Sequence, residues 1–435
     1  MRIVQKIRRS FLLRLPSYLP NCSVRGLFGQ VNFTVMMTSG DNINRDGGSV
    51  GALVQKDTSS EEQVVIVEKL KSVSMLTLNR PKVLNSINLP LVSRVAELYE
   101  EWEKDEHVKC ILTKAAGRVF SAGGDLRMFY SIGKRDESWK EVVYKKYWLD
   151  YHIHTFKKPI VAFWHGLVMG GGAGLTVACK FRIATEKTIF SLPEAAIGYH
   201  TDCAASYYLP RLKGHFGTYL AITGARLTGA EVFVSGLATH FVPSQSLLDV
   251  EKRLVALDTG DVNAIKSTID EFSIIPELDQ QSVLNRLDLV EKIFSKDSIE
   301  EITAVLLAEM EDAHDEWLKD AAKALKRSSP LGLKQTFRSV SEGRNRTLAD
   351  CLRVEYRVTL NALRATISND FYEGMRATVI EKDNSPTWNP ATLPEVTSEK
   401  LDLVFQPFKE EDELQLPAEG KIPRWGGKYE HSQIR

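Results

Sequence analysis

Cysteine is scarce in this sequence, and its arrangement excludes a disulfide framework. The 435-residue chain has five cysteines, an odd number, and contains no CxxC pair. Disulfide-stapled domains usually carry an even number of cysteines at close spacing. We therefore expect the protein to work in a reducing compartment.

Long apolar runs and an excess of one charge are also missing. No stretch approaches the roughly 20 apolar residues that span a bilayer, so the sequence predicts no membrane association through a helix. Lys plus Arg and Asp plus Glu both number 56. This balance gives no reason to expect DNA binding or attraction to an acidic membrane surface. The GxxxxGK[ST] motif of phosphate-binding loops is absent as well.

The first forty residues differ from the rest of the chain in composition. They contain six Arg or Lys residues, and the first acidic residue is Asp41. A basic, acid-free start of this kind is typical of a mitochondrial transit peptide, here residues 1–40. A disordered basic tail is the alternative. Residues 41–62 are rich in Gly, Ser and Asp and predict a linker.

The remaining residues divide by their hydrophobic pattern. Short apolar runs alternate with helical patterns over residues 63–245, which predicts an α/β core. Residues 246–395 carry apolar positions at i, i+3 and i+4 and predict a helical region. The Pro-rich and charged residues 396–435 predict a loosely ordered tail.

Three segments combine glycines with acids. They are FSAGGDLR (120–127), HGLVMGGGAG (165–174) and SLPEAAIGYHTD (191–202). Glycine lets backbone N–H groups approach a ligand closely, and two such groups from two loops can hold one developing oxyanion. The carboxyl groups of Glu194 and Asp202 would then serve acyl or enolate chemistry. Asp202 has an alternative role as a helix cap ahead of AASYYL.

These motifs, together with FRIATEKTIF and DFYEGMRATVIEKDNSPTWNP, resemble the crotonase (enoyl-CoA hydratase/isomerase) superfamily. More narrowly, the sequence resembles the 3-hydroxyisobutyryl-CoA hydrolases over about residues 63–395. The resemblance implies an α/β fold, a crotonase-like spiral of ββα units with a C-terminal helical region. It also implies an acyl-CoA substrate, no metal and no cofactor other than the coenzyme A of the substrate.

The resemblance also implies residue roles. The oxyanion hole would use the backbone N–H groups of Gly124 and Gly171. Glu194 matches the second catalytic glutamate of the hydratases, whereas Gly174 stands where they carry the first. The hydrolases share that loss and have an aspartate at the position of Asp202, which would hold the substrate hydroxyl or help to position water.

Further residues are expected around the substrate. Coenzyme A would contact Arg80, Lys82 and Ala122. His200, if charged, would lower the pKa of either acid. A glutamate that the hydrolases commonly carry is replaced near Lys145 and Lys146.

The implied function is hydrolysis of 3-hydroxyisobutyryl-CoA in valine catabolism, in the mitochondrial matrix. One alternative is a structural subunit of a large organellar assembly, such as the small subunit of the mitochondrial ribosome. A third reading is a hydratase or isomerase for another acyl-CoA. Partners beyond the substrate would be further copies of the chain in a homo-oligomer, or the mitochondrial ribosome.

We predict that residues 1–62 direct mitochondrial import. Fused to a fluorescent reporter, they should carry it into mitochondria, because basic, acid-free segments are the form that import signals take. Microscopy with a mitochondrial dye is the measurement, and the reporter alone is the control. A diffuse cytosolic signal would contradict the prediction.

Overall fold

The computed structural model describes residues 63–134, 136–312 and 315–417, together with Tyr429. The predicted transit peptide and linker lie outside the described residues, as does residue 418 onward except Tyr429. Within the described part of the chain, no helix combines the length and the apolar character needed to cross a membrane.

The described residues contain ten strands in two sheets. The strands are β1 (Val65–Leu70), β2 (Val73–Leu78), β3 (Cys110–Ala115), β4 (Val119–Ser121), β5 (Ile160–Trp164), β6 (Leu167–Met169), β7 (Phe181–Ala184), β8 (Ile189–Ser191), β9 (Leu227–Thr228) and β10 (His240–Phe241). The six-stranded sheet has the order β1-β2-β3-β5-β7-β10, and the four-stranded sheet has the order β4-β6-β8-β9. The β1–β2 and β8–β9 pairs are antiparallel, and the others are parallel.

Helices follow the strand pairs, and after the last strand the regular elements of the described chain are helices only. Among the described residues they are α1 (Leu89–Lys104), α2 (Leu126–Ile132), α3 (Trp139–Thr155), α4 (Gly171–Gly174), α5 (Ala205–Tyr208), α6 (Phe216–Thr223), α7 (Gly229–Val234), α8 (Leu247–Leu257), α9 (Val262–Asp270), α10 (Leu287–Phe294), α11 (Ile299–Asp312), α12 (Glu316–Arg327), α13 (Pro330–Gly343), α14 (Leu348–Arg364), α15 (Asp370–Met375) and α16 (Ser398–Phe405).

The strands enter the two sheets in pairs. β3 joins the first sheet and β4 the second, and β5 with β6 and β7 with β8 repeat this order. Each pair lies beside the preceding pair in both sheets and leads into helical turns. The α/β class and the spiral of ββα units predicted from the sequence are therefore confirmed.

Strand β2 shows why the strands of this sheet have apolar sequences. All six of its residues are buried, as expected for a strand that is covered on both faces. Leu76 and Leu78 belong to the main hydrophobic cluster, whereas Val73 and Met75 belong to a second cluster on the other face. The alternation of side chains along a strand separates the two sets.

The helical region packs on the α/β core and shares its hydrophobic interior. Phe190 of β8, Leu360 of α14 and Met375 of α15 all belong to the main cluster. Helix α14 packs against α3 and α5. It thereby brings its side chains to the segment around Asp202.

The chain stays ordered beyond the helical region. Residues Ser398–Phe405 form α16, and Leu414 is buried in the main cluster. Glu413 accepts a hydrogen bond of 2.8 Å from Arg357 of α14. The prediction of a loose tail was therefore wrong as far as residue 417, because a few apolar and ionic anchors hold this charged segment.

We predict that Gly198, in the turn between Glu194 and Asp202, tolerates no side chain. Its φ is +70°, and a Cβ would lie 2.1 Å from the backbone oxygen of Asp370. Gly198→Ala should therefore lower the free energy of unfolding by the cost of a left-handed alanine, about 1–2 kcal/mol, plus an overpacking cost of about 1–3 kcal/mol.

The matched control is Gly236→Ala. Its φ of +85° imposes the same kind of strain, but nothing lies within 4 Å of its added Cβ. Urea unfolding followed by circular dichroism measures both variants. Equal losses in the two would contradict the proposed clash with Asp370.

Candidate active site

Two glycine-containing turns meet at the ends of neighbouring parallel strands, β4 and β6. A Cβ added to Gly171 would lie 3.7 Å from the backbone nitrogen of Gly124. Gly123 (φ +91°) and Gly170 (φ +45°) adopt conformations that L side chains rarely take. Glycine is thus required for the two backbones to approach this closely.

The predicted oxyanion donors, Gly124 and Gly171, have unused backbone amides. The amides beside Gly124 are bonded, since Gly123 donates to Ser121 Oγ at 3.2 Å and Asp125 donates to Ile87 O at 2.9 Å. Neither the Gly124 nor the Gly171 amide donates a hydrogen bond to any described residue. Two adjacent, preorganised N–H groups of this kind can hold one developing oxyanion.

Glu194 faces these turns with a carboxyl group of which one oxygen has no hydrogen-bond partner among the described residues. Its Oε1 atom would lie 2.5 Å from a Cβ on Gly170. Its Oε2 atom is buried and has no hydrogen-bond partner among the described residues. Burial, and then the nearby Asp202, hold the pKa of Glu194 well above its usual range. A carboxyl buried at such cost, beside unused amides, is a candidate for acid–base or nucleophilic chemistry.

Asp202 is held by two phenols. Its Oδ2 atom accepts hydrogen bonds from Tyr199 Oη at 3.1 Å and from Tyr147 Oη at 3.3 Å. Both hydroxyls also contact Thr359 Oγ1 of α14, at 2.5 and 2.7 Å respectively. Burial raises the pKa of Asp202, while Lys146 and the hydroxyl donors oppose this rise.

The helix after Asp202 is capped from elsewhere in the chain. Glu355 of α14 accepts hydrogen bonds of 2.8 Å from the backbone amides of Ala204 and Ser206. The alternative role of Asp202 as that cap was therefore wrong. Glu355 is fully buried, and burial raises its pKa to about 8. Its sequence signal, which was overlooked, is an acid within the apolar stripe of an amphipathic helix.

His200 does not supply a positive charge to the acids. Burial lowers the pKa of His200 to about 3, so the ring is neutral at physiological pH. Its Nε2 atom lies 2.9 Å from Thr359 Oγ1. The condition under which His200 would lower the pKa of either acid, a charged ring, is therefore not met, because its site is too well desolvated.

The space that a side chain at Gly174 would need is occupied. A Cβ on Gly174 would lie 2.6 Å from the Cβ of Cys203 and 3.1 Å from Lys146 Nζ. Lys146 Nζ donates to Asp150 Oδ1 at 2.5 Å and lies 3.5 Å from Cys203 Sγ. This site therefore presents an ammonium group beside the position of the first hydratase glutamate.

The residues predicted to contact coenzyme A surround the first glycine turn. The guanidinium of Arg80 donates a hydrogen bond of 3.1 Å to Asp125 Oδ2 and so braces the turn. The Ala122 amide donates to Leu84 O at 3.0 Å. Lys82 is exposed. Contact of these residues with coenzyme A stays a prediction.

Comparisons with known proteins show the family to which this chain belongs. A family model described as enoyl-CoA hydratase/isomerase matches residues 73–405. The chain is 52% identical to 3-hydroxyisobutyryl-CoA hydrolase-like protein 5 of Arabidopsis thaliana over 381 residues, which cover 87% of this chain and 98% of that protein. The names of relatives from Gallus gallus and Danio rerio contain both 3-hydroxyisobutyryl-CoA hydrolase and mitochondrial.

Two other similarities bear on the alternatives. Small ribosomal subunit protein mS47 of Arabidopsis thaliana is 38% identical, over 84% of this chain and 91% of that protein. Among solved structures, a carnitinyl-CoA dehydratase from Mycobacterium thermoresistibile has a TM-score of 0.74 and 32% identity. The match covers 82% of this chain and 100% of that one.

We predict that Glu194→Gln removes turnover and stabilises the fold. The amide is neither a base nor a useful nucleophile, so kcat/KM on an acyl-CoA thioester should fall on the order of 100- to 10,000-fold. A carboxyl whose pKa is raised by folding stabilises the protein at low pH and loses that contribution as pH rises. The gain in Tm over the wild type should therefore grow as the pH rises above the ordinary carboxyl pKa of 4.5.

Thermal melts at a series of pH values and thioesterase assays measure the two effects. Glu186→Gln is the control, because Glu186 is exposed and bonded to Ser244. This control should leave turnover unchanged. Its Tm should not gain on that of the wild type as the pH rises, in contrast to Glu194→Gln. A Glu194→Gln variant with full activity would exclude Glu194 from the chemistry.

Proposed function

Because the chain belongs to the enoyl-CoA hydratase/isomerase family, we propose that it hydrolyses 3-hydroxyisobutyryl-CoA to 3-hydroxyisobutyrate and coenzyme A. The protein is an enzyme, and the names of its relatives support hydrolysis of acyl-CoA thioesters. The choice of this substrate, the location in the mitochondrial matrix and a role in valine catabolism are part of the proposal.

The observation that carries this proposal is the combination of two unused amides with a buried glutamate that has one unpartnered oxygen. If the thioester oxygen lay between the Gly124 and Gly171 amides, the carbonyl carbon would lie within reach of the Glu194 carboxyl group. The two N–H groups would stabilise the negative charge that develops on the oxygen when the carbonyl is attacked. Addition of water to an enoyl group uses two flanking acids, and Gly174 supplies no second one.

Glu194 would act on the thioester carbonyl as an ionised carboxylate. It would either attack the carbonyl carbon, expelling the coenzyme A thiolate and leaving an anhydride that water opens, or remove a proton from an attacking water. Both routes consume one water and release the acid and the free thiol. The raised pKa of Glu194, caused first by burial, would keep it a strong base once it is deprotonated.

Asp202 would recognise the substrate hydroxyl. Its Oδ2 atom is engaged by two phenols, while a carboxylate offers about four acceptor sites in total. The 3-hydroxyl of the acyl group can therefore donate to a remaining site. This interaction would favour 3-hydroxyacyl groups over plain acyl groups.

A second candidate function is a structural subunit of a mitochondrial ribosome. The likeness to mS47 over most of both chains favours it. Sedimentation of the native protein separates the two candidates. Co-migration with small-subunit RNA would support the ribosomal role, whereas a discrete small particle would support the free enzyme.

We predict that Asp202→Asn impairs hydrolysis mainly for hydroxylated substrates. The kcat/KM for 3-hydroxyisobutyryl-CoA should fall by about 10- to 100-fold, the effect of losing a hydrogen bond to a charged group. The matched control is isobutyryl-CoA, which lacks the hydroxyl and should be affected much less. Steady-state assays on both thioesters with wild type and variant provide the measurement.

Two outcomes would count against these assignments. Equal effects of Asp202→Asn on the two substrates would remove Asp202 from hydroxyl recognition. A purified, folded wild-type chain that hydrolyses neither thioester would refute the proposed function and favour the ribosomal candidate.

A further inference from the structure

Four buried or half-buried carboxyl groups and one buried ammonium group lie in this part of the structure. Asp150 and Glu355 are fully buried, and Glu194 is nearly so. Asp202 is half-buried, and the side chain of Lys146 is 9% exposed. Ionising several carboxyl groups together in such a desolvated place is unfavourable without a compensating charge.

The titratable groups near Asp202 come from every element packed around it. They are Lys146, Tyr147, Asp150 and His154 on α3, Glu194, Tyr199, His200 and Cys203 in the connecting segment, Tyr208 on α5 and Glu355 on α14. Burial lowers the pKa of His154 to about 4 and that of His200 to about 3. Lys146 is therefore the one member of this set that is cationic at neutral pH.

The position of Lys146 is set by two contacts and by one missing side chain. Asp150, one helical turn further along α3, binds its Nζ atom at 2.5 Å. Cys203, the neighbour of Asp202, places its Sγ atom 3.5 Å from the same nitrogen. Gly174 lacks a side chain where a Cβ would come within 3.1 Å of it. A larger residue at 174 would displace the ammonium from this place.

We propose that Lys146 is a positioning residue whose ammonium group, oriented by Asp150, keeps Asp202 ionised beside Glu194. This inference rests on the proposed function, because it assigns Lys146 to the thioester reaction. Lys146 does not touch the substrate in this scheme. It acts through Asp202 and determines the pH at which the acidic pair becomes competent.

The ionisation of the partners fits this role. Burial would lower the pKa of Lys146, but Asp150 and the other nearby acids raise it above its usual value. Burial raises the pKa of Asp150 to about 6, although Lys146 opposes the rise. Asp150 thus holds the ammonium group in place, and the attraction of that group opposes the rise that burial imposes on the pKa of Asp202.

The test is the pH dependence of kcat/KM for 3-hydroxyisobutyryl-CoA in wild type, Lys146→Met and Asp150→Asn. Without the cation the acidic pair should hold its protons to higher pH, so the acid limb of Lys146→Met should move up by on the order of one pH unit. Asp150→Asn removes a competing anion, so its acid limb should move down. Opposite shifts from two partners of one ion pair are not expected from a purely structural role.

The double variant Lys146→Met/Asp150→Asn guards against misfolding, because it leaves no unpaired buried charge. Its acid limb should lie between those of wild type and Lys146→Met. The matched control is Lys145→Met. Lys145 is also buried on α3 and is paired at i, i+4 with Glu141 at 2.7 Å. This control should leave the acid limb in place.

A second readout needs no activity. The infrared carbonyl band of protonated Asp202, assigned by its loss in Asp202→Asn, should persist to higher pH in Lys146→Met and vanish at lower pH in Asp150→Asn. Unchanged titration in both variants, or shifts of the same sign, would overturn the inference. If the wild type hydrolyses no acyl-CoA, the proposed function fails, and the infrared titration still decides whether Lys146 controls Asp202.

Discussion

The burial of carboxyl groups is the constraint on which the rest of this site depends. An ionised carboxyl in a desolvated place needs donors or a counter-charge. Glu355 receives two backbone amides, Asp202 receives two phenols and Asp150 receives an ammonium group. Two of the four keep a buried oxygen without a hydrogen-bond partner among the described residues, Asp150 Oδ2 and Glu194 Oε2. The Asp150 carboxyl group is bound to Lys146 through its other oxygen, whereas the Glu194 carboxyl group stands beside the unused amides.

The helical region is part of the active site for the same reason. Thr359 and Glu355, both on α14, hold the two sides of the Asp202 segment. Cys203 and Ala204 have positive φ values of 60° and 66°, a conformation that costs free energy in residues other than glycine. The carboxylate of Glu355 secures this turn from 151 residues away in sequence. The α/β core thus supplies the predicted oxyanion donors and Glu194, whereas the helical region fixes Asp202.

The sequence was sufficient to predict the features that short segments encode. The alternation of strands and helices, the glycine turns and Glu194 each depend on residues within about ten positions, and their resemblance to one family fixed the spiral fold. Thr359, Glu355 and the Tyr147 hydroxyl could not be assigned, because helical periodicity shows that a position is buried and not which distant loop it meets. The charge of His200 could not be predicted for a related reason, since it depends on how completely the fold desolvates the ring.

Packing around position 174 leaves no room for the first hydratase glutamate, in addition to the glycine that stands there. A Cβ there would meet the Cβ of Cys203 at 2.6 Å, and that atom belongs to a left-handed turn held by Glu355. The flexible Lys146 side chain could move aside, but the turn could move only by breaking the bonds that fix Asp202. A glutamate at 174 would therefore disturb the segment that holds Asp202, the proposed recognition group for the substrate hydroxyl. The same packing that places the Lys146 ammonium group beside Cys203 thus leaves no room for a second acid at position 174.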